Sequence, residues 1–233
     1  MTTHHFVVRD IVRETPRALL LRLDAAGRRL VFSAGQAALV GLAHRAERKP
    51  YSIASTPDEL RRSGSIEFLI EAGPDGQAPS NLGGAGRGSV VAVEGPVGSF
   101  VLPPRLPREL LFIAGGTGIA PLRSMVASAL ARPNAPSITL VYSARTPAEF
   151  AFFGELRRLS RQGRLRLCTT VTREADTAWH GRRGRIQQAW IKAFVRRGRP
   201  LCFVCGPEGF VVTVTDMLRG AGVPADRIRR EEY

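Results

Sequence analysis

Between residues 6 and 102, short runs rich in β-branched, aliphatic and aromatic residues recur at 6–12, 19–23, 37–42, 51–55, 66–71 and 89–94, separated by Gly, Pro, Ser and Asp. Strand-length runs bounded by turn residues at this spacing predict an antiparallel barrel or sandwich. After Pro103-Pro104 the pattern changes. Apolar runs at 110–114, 137–143, 164–172 and 201–204 alternate with segments of helical period at 121–131, 147–162, 186–195 and 208–220. Strand–helix alternation implies βαβ units and a parallel sheet. The change of period divides the chain into expected domains 1–104 and 105–233, with no internal repeat and no low-complexity linker.

The 233 residues and 44% hydrophobic content allow either one large domain or two smaller ones, each with its own core. No apolar run approaches the roughly 18–20 residues that cross a bilayer. The first ten residues lack an apolar segment behind a basic one, so no secretion signal is expected and the cytoplasm is the expected location. Three cysteines, Cys168, Cys202 and Cys205, are too few for a disulfide framework and too few to hold an iron–sulfur cluster by four thiolates. Cys202 and Cys205 lie three apart in an apolar strand, where side chains point to opposite faces, so a disulfide between them is not expected. None of the four histidines, His4, His5, His44 and His180, stands in a metal-ligand spacing.

The net charge of +14 rests almost wholly on arginine, with only Lys49 and Lys192 as lysines. It admits three readings: arginine-rich decoration of solvated faces, steering of an acidic partner, or nucleic-acid binding. The absence of zinc-finger spacing, aromatic-rich RNA-binding runs and a basic tail counts against the last.

The segment Leu110-Leu-Phe-Ile-Ala-Gly115-Gly116-Thr117-Gly118-Ile-Ala-Pro121 ends a buried strand in glycines and starts a helix at a proline. Such a turn lets main chain approach a ligand, and its free amides favour a pyrophosphate. It is not the G-x-G-x-x-G fingerprint, and the next strand ends in Ser143-Ala144-Arg145 without the acid expected at a ribose hydroxyl. A structural glycine turn is the other reading.

Four segments in fixed order resemble the ferredoxin–NADP reductase superfamily across nearly the whole chain: Lys49-Pro50-Tyr51-Ser52, Gly95-Pro96-Val97-Gly98-Ser99-Phe100, the glycine turn, and Cys205-Gly206-Pro207. The resemblance implies a Greek-key β-barrel that binds FAD, followed by a Rossmann-like domain that binds NAD(P)H. It further implies hydride transfer to the flavin and onward delivery of electrons to a separate acceptor. It places Tyr51 against the flavin ring and Ser52 at its reactive edge, with Pro50, Ile70 and Glu71 among the cofactor contacts. Lys49 stands where the family has arginine; it supplies a point charge but no bidentate fork, and Arg48 is the other candidate for that role. The family's phosphate turn is represented by Gly76-Gln-Ala-Pro79-Ser80-Asn81-Leu82, with Pro79 at the usual hydroxyl position, leaving the amides of Ser80 and Asn81 for the phosphates. On the nucleotide side the implied contacts are Gly116, Thr117, Gly118, Pro121, Gly206 and Pro207, and Cys205 shapes the nicotinamide site.

Thr172, Arg173 and Arg185 match in kind and order the hydroxyl–arginine set with which family members grip a 2′-phosphate, which favours NADPH over NADH; a solvated basic loop is the alternative. The ending Glu231-Glu232-Tyr233 is similar to that of plant-type members, making Glu231 and Tyr233 candidate catalytic residues beside Ser52 and Cys205. The implied partner is an acidic ferredoxin or flavodoxin, or an oxygenase component. Two other functions remain: a flavin-binding electron-transfer subunit of a larger redox complex, and a nucleic-acid-binding protein.

Overall fold

The computed structural model describes residues 2–25, 27, 30–73, 75–173, 179–196 and 198–233. The chain divides into two compact units, Met1–Pro103 with Arg123–Ser128, and Pro104–Leu122 with Ala129–Tyr233.

In the first unit, β1 (Thr2–Thr15), β2 (Ala18–Asp24), β3 (Ala37–Leu42), β4 (Lys49–Ser52), β5 (Ser65–Glu71) and β6 (Val90–Val97) form an antiparallel sheet in the order β4-β3-β6-β1-β2-β5. The two ends of that order meet where Ile53, just after β4, bridges Phe68 of β5 and the Ala54 amide donates to Glu67, so the sheet closes as a barrel. The sequence period explains its filling. Phe6 and Val8, Leu21 and Leu23, Ala38 and Val40, Ile66, Phe68 and Ile70, and Val91 and Val93 all point into one core. β1 is longer than the 6–12 run suggests because its first half pairs with β6 and its second half with β2. The all-β reading of 6–102 also needs correction. A helix, α1 (Pro57–Ser63), interrupts the strands, started by a Thr56/Glu59 capping box and ended by Gly64 at φ 67°.

The second unit has six parallel strands, β7 (Glu109–Gly115), β8 (Ser137–Ala144), β9 (Arg166–Val171), β10 (Arg182–Arg183), β11 (Leu201–Gly206) and β12 (Ile228–Glu232), in the order β10-β9-β8-β7-β11-β12. Helices α2 (Ile119–Leu130), α3 (Phe153–Arg161), α4 (Gln188–Val195) and α5 (Glu208–Gly220) follow the strands. Every residue of β11 is buried, as expected for a central parallel strand. The helix expected from 147 begins at Phe153 instead, because Phe152 adopts a left-handed φ of 56° and separates it from a short turn at Pro147–Glu149. The helix expected at Pro121 begins at Ile119, so Pro121 falls in its first turn, where its missing N–H costs no bond. The two edge strands, β10 and β12, have no apolar run to announce them. No helix among the described residues is long and apolar enough to cross a membrane.

Candidate functional site

On the first unit, strand alternation sends Lys49 and Tyr51 to one face of β4 and Pro50 and Ser52 to the other. Lys49 and Tyr51 meet the turn at Ser80–Leu82. The Tyr51 hydroxyl donates to Asn81 Oδ1 at 3.0 Å, and the fully buried Asn81 donates through Nδ2 to the Val40 carbonyl at 2.7 Å. Burial, with the Glu47 charge adding to it, holds the Tyr51 phenol above its ordinary value, against the opposing hydrogen bond to Asn81. Lys49 Nζ lies 3.2 Å from Ser80 Oγ and 3.3 Å from Glu47 Oε1, and Ser80 Oγ donates to that same oxygen at 2.9 Å. Arg45 donates to the Ser80 carbonyl.

Arg48 does not supply the missing arginine fork. Its guanidinium turns back to the carbonyls of Leu42 and Glu47 at 3.1 and 3.0 Å, and to Glu94 at 3.6 Å. Arg45, which no motif singled out, stands beside Ser80 instead. Ile70 packs its side chain into the barrel core, Glu71 pairs with Arg17 at 3.2 Å, and Gly76, at φ 71°, gives its carbonyl to Arg13 at 3.0 Å. Ile70 can therefore reach a ligand only through its main chain.

In the second unit the order of β8-β7-β11-β12 reverses direction between β7 and β11, the point where open α/β sheets bind ligands beyond their strand ends. Two glycine loops lie there. A Cβ on Gly118 would stand 2.3 Å from the Cys205 carbonyl oxygen, so only glycine lets the two loops touch. Gly116 has φ 55°, and its carbonyl accepts from the buried Tyr142 hydroxyl at 3.1 Å. The Gly115 carbonyl accepts from Tyr233 at 3.1 Å. Thr117 is half-buried between these glycines and Pro207 is exposed after Gly206. The Cys205 side chain is buried, and burial together with the nearby Glu231 charge raises its thiol far above the ordinary range. A thiol so raised stays protonated at neutral pH and is a poor nucleophile. Glu231, half-buried on β12, lies beside Cys205 in register.

The family described as Oxidoreductase FAD-binding domain matches residues 5–102, and that described as Oxidoreductase NAD-binding domain matches residues 112–216. Ferredoxin–NADP reductase B of Sorangium cellulosum is 31% identical over 220 residues, covering 90% of this chain and 88% of that protein. The reductase subunit of an aromatic O-demethylase from an Amycolatopsis species is 30% identical, over 97% of this chain and 67% of its own length. The crystal structure of an Amycolatopsis cytochrome P450 reductase superposes with a TM-score of 0.85 at 26% identity, covering 99% of this chain and 69% of the other. The chain belongs to the ferredoxin–NADP reductase superfamily. It is an NAD(P)H-dependent flavoprotein reductase that uses FAD and passes electrons to a separate acceptor.

Both donor sets of the reductase fit these groups. Lys49 and Ser80 hold a carboxylate oxygen between them, an oxygen that takes the same partners as a phosphate oxygen, and Gly116 and Thr117, ahead of the buried Gly118–Cys205 contact, keep part of the glycine turn exposed. Thr172 and Arg173 follow β9 as exposed residues, their amides bonded to the carbonyls of Ala144 and Arg145 at 3.0 and 2.8 Å, and Arg185 is exposed just past β10. Trp179, which sequence reading overlooked, stabilises this margin. Its ring stacks on Phe150 at 5.6 Å and folds over Gly181, and its Nε1 donates to the Arg182 carbonyl at 2.9 Å. Arg182 in turn lies 4.3 Å over the Trp190 ring.

Proposed function

We propose that residues 1–104 of the reductase bind FAD, that residues 105–233 bind NADPH, and that electrons leave to a separate acidic carrier of the ferredoxin or flavodoxin kind or to an oxygenase component. The observation that carries this reading is the pair of glycine loops at the strand switch point, where the buried contact of Gly118 with Cys205 holds the part-exposed Gly116–Thr117 turn at the place where such sheets bind dinucleotides. Arg45, Lys49 and Ser80 hold the flavin phosphates, Tyr51 lies against the ring and Ser52 bonds its reactive edge. FAD, when bound, accepts a hydride and releases electrons, linking a two-electron donor to an electron carrier. The amides after Gly115 receive the nucleotide pyrophosphate, and Thr172, Arg173 and Arg185 grip the 2′-phosphate. Tyr233 and Glu231 close the nicotinamide end, with Tyr233 moving aside for the coenzyme. An acidic acceptor is supported by the net charge of +14, which speeds encounter with an oppositely charged partner.

Arg173→Ala tests the coenzyme assignment. Losing a charge-assisted phosphate contact should weaken NADPH by roughly tenfold to a hundredfold and NADH much less. Equal losses for both coenzymes would remove the 2′-phosphate reading.

A further inference from the structure

The closed triangle of Lys49 Nζ, Ser80 Oγ and Glu47 Oε1, with sides of 3.2, 2.9 and 3.3 Å, places a carboxylate among the very donors a flavin phosphate needs. A carboxylate oxygen and a phosphate oxygen take the same partners, an ammonium and a hydroxyl. Arg48 is committed to main-chain carbonyls and Glu94, so Lys49 and Arg45 are the cations at this turn. The hydroxyl of Ser80 and the charge of Lys49 both hold the Glu47 carboxyl below its usual range, in keeping with the triangle's geometry.

We propose that Glu47 is an internal occupant of the flavin phosphate subsite, which the incoming phosphate displaces. This rests on the assignment of Lys49 and Ser80 to the flavin phosphates. Once displaced, Glu47 is a like charge close to the phosphate and weakens its hold. The acid thus sets how tightly phosphorylated flavins bind while leaving the ring site alone. It opposes the pull of the cations Lys49 and Arg45 on the phosphate.

The test is equilibrium binding of FAD, FMN and riboflavin to the apoprotein, followed by flavin fluorescence, in the wild type and in Glu47→Gln. Removing one exposed charge should tighten FAD and FMN by roughly threefold to tenfold and leave riboflavin unchanged. Glu47→Ala, with thermal melts of both apoproteins, separates this from a change in folding. Unchanged or weaker FAD binding in the variants, with wild-type FAD still far tighter than riboflavin, overturns the role of Glu47 alone. Equal wild-type affinity for FAD and riboflavin overturns the phosphate assignment beneath it, and the proposal with it.

Discussion

The phenol of Tyr233 donates to the Gly115 carbonyl at 3.1 Å, and a Cβ on the neighbouring Gly116 would lie 3.2 Å from that hydroxyl oxygen. The side chain of Tyr233 therefore rests on the turn proposed to receive the nucleotide pyrophosphate. One net hydrogen bond, about 1 kcal/mol, stands between that arrangement and an open turn. Tyr233→Phe should lower the dissociation constant for nucleotide by roughly fivefold, read by titration calorimetry. An unchanged or higher constant would mean that the contact does not compete with nucleotide.

Gly118 faces the Cys205 carbonyl with no room for a methyl group. Gly118→Ala must push the two loops apart, so it should cost about 3 kcal/mol of stability and abolish tight coenzyme binding. Denaturant unfolding and coenzyme titration check the two effects. A variant of wild-type stability and affinity would show the loops to be freely separable.

Asn81 links the Val40 carbonyl to the Tyr51 hydroxyl and is fully buried. Asn81→Ala removes both side-chain hydrogen bonds of a buried residue, which costs about 1–3 kcal/mol, and frees the Tyr51 ring. The melting temperature should fall by several degrees, and the visible spectrum of bound flavin should shift as Tyr51 loses its fixed position. A lower melting temperature with an unaltered spectrum would make Asn81 a packing residue only.

The strand pattern of this chain was readable because both faces of its buried strands obey simple rules. Period two in the barrel sends alternate residues such as Ile66, Phe68 and Ile70 inward, and continuous apolarity marks β11. The α1 helix was equally written in Thr56-Pro57-Asp58-Glu59, a capping box that the surrounding β pattern obscured. Other features had no local signal. β12 is the polar stretch Ile-Arg-Arg-Glu-Glu, a strand only because β11 offers it an edge. The left-handed Phe152 and the Trp179–Phe150 stack depend on tertiary packing. Lys49, Ser80 and Asn81, expected together from motif order, do meet at one turn, whereas no sequence signal placed Arg45 and Glu47 beside it, because that depends on how the loop before β4 folds against the Ser80 turn.

Burial pushes the Cys202 thiol from an ordinary 9.0 up to about 12. A group whose value is raised by folding keeps a proton that the unfolded chain has lost. Its contribution to stability is therefore complete below pH 9 and fades as pH rises toward 12. Between those limits it accounts for at most about 1.4 kcal/mol per pH unit. Cys202→Ala should flatten the alkaline decline of stability measured by denaturant unfolding, and the native thiol should resist alkylation at about pH 8. An equally steep decline in the variant, or rapid alkylation of native Cys202, would contradict its burial.

The most direct measurement is anaerobic addition of NADPH to the purified, flavin-loaded protein, with the visible flavin absorbance followed in a stopped-flow cell. Rapid and complete bleaching, reversed when an electron acceptor is added, is the predicted result. A protein that remains colourless after incubation with FAD, or whose bound flavin is not bleached by either reduced nicotinamide coenzyme, would contradict the account.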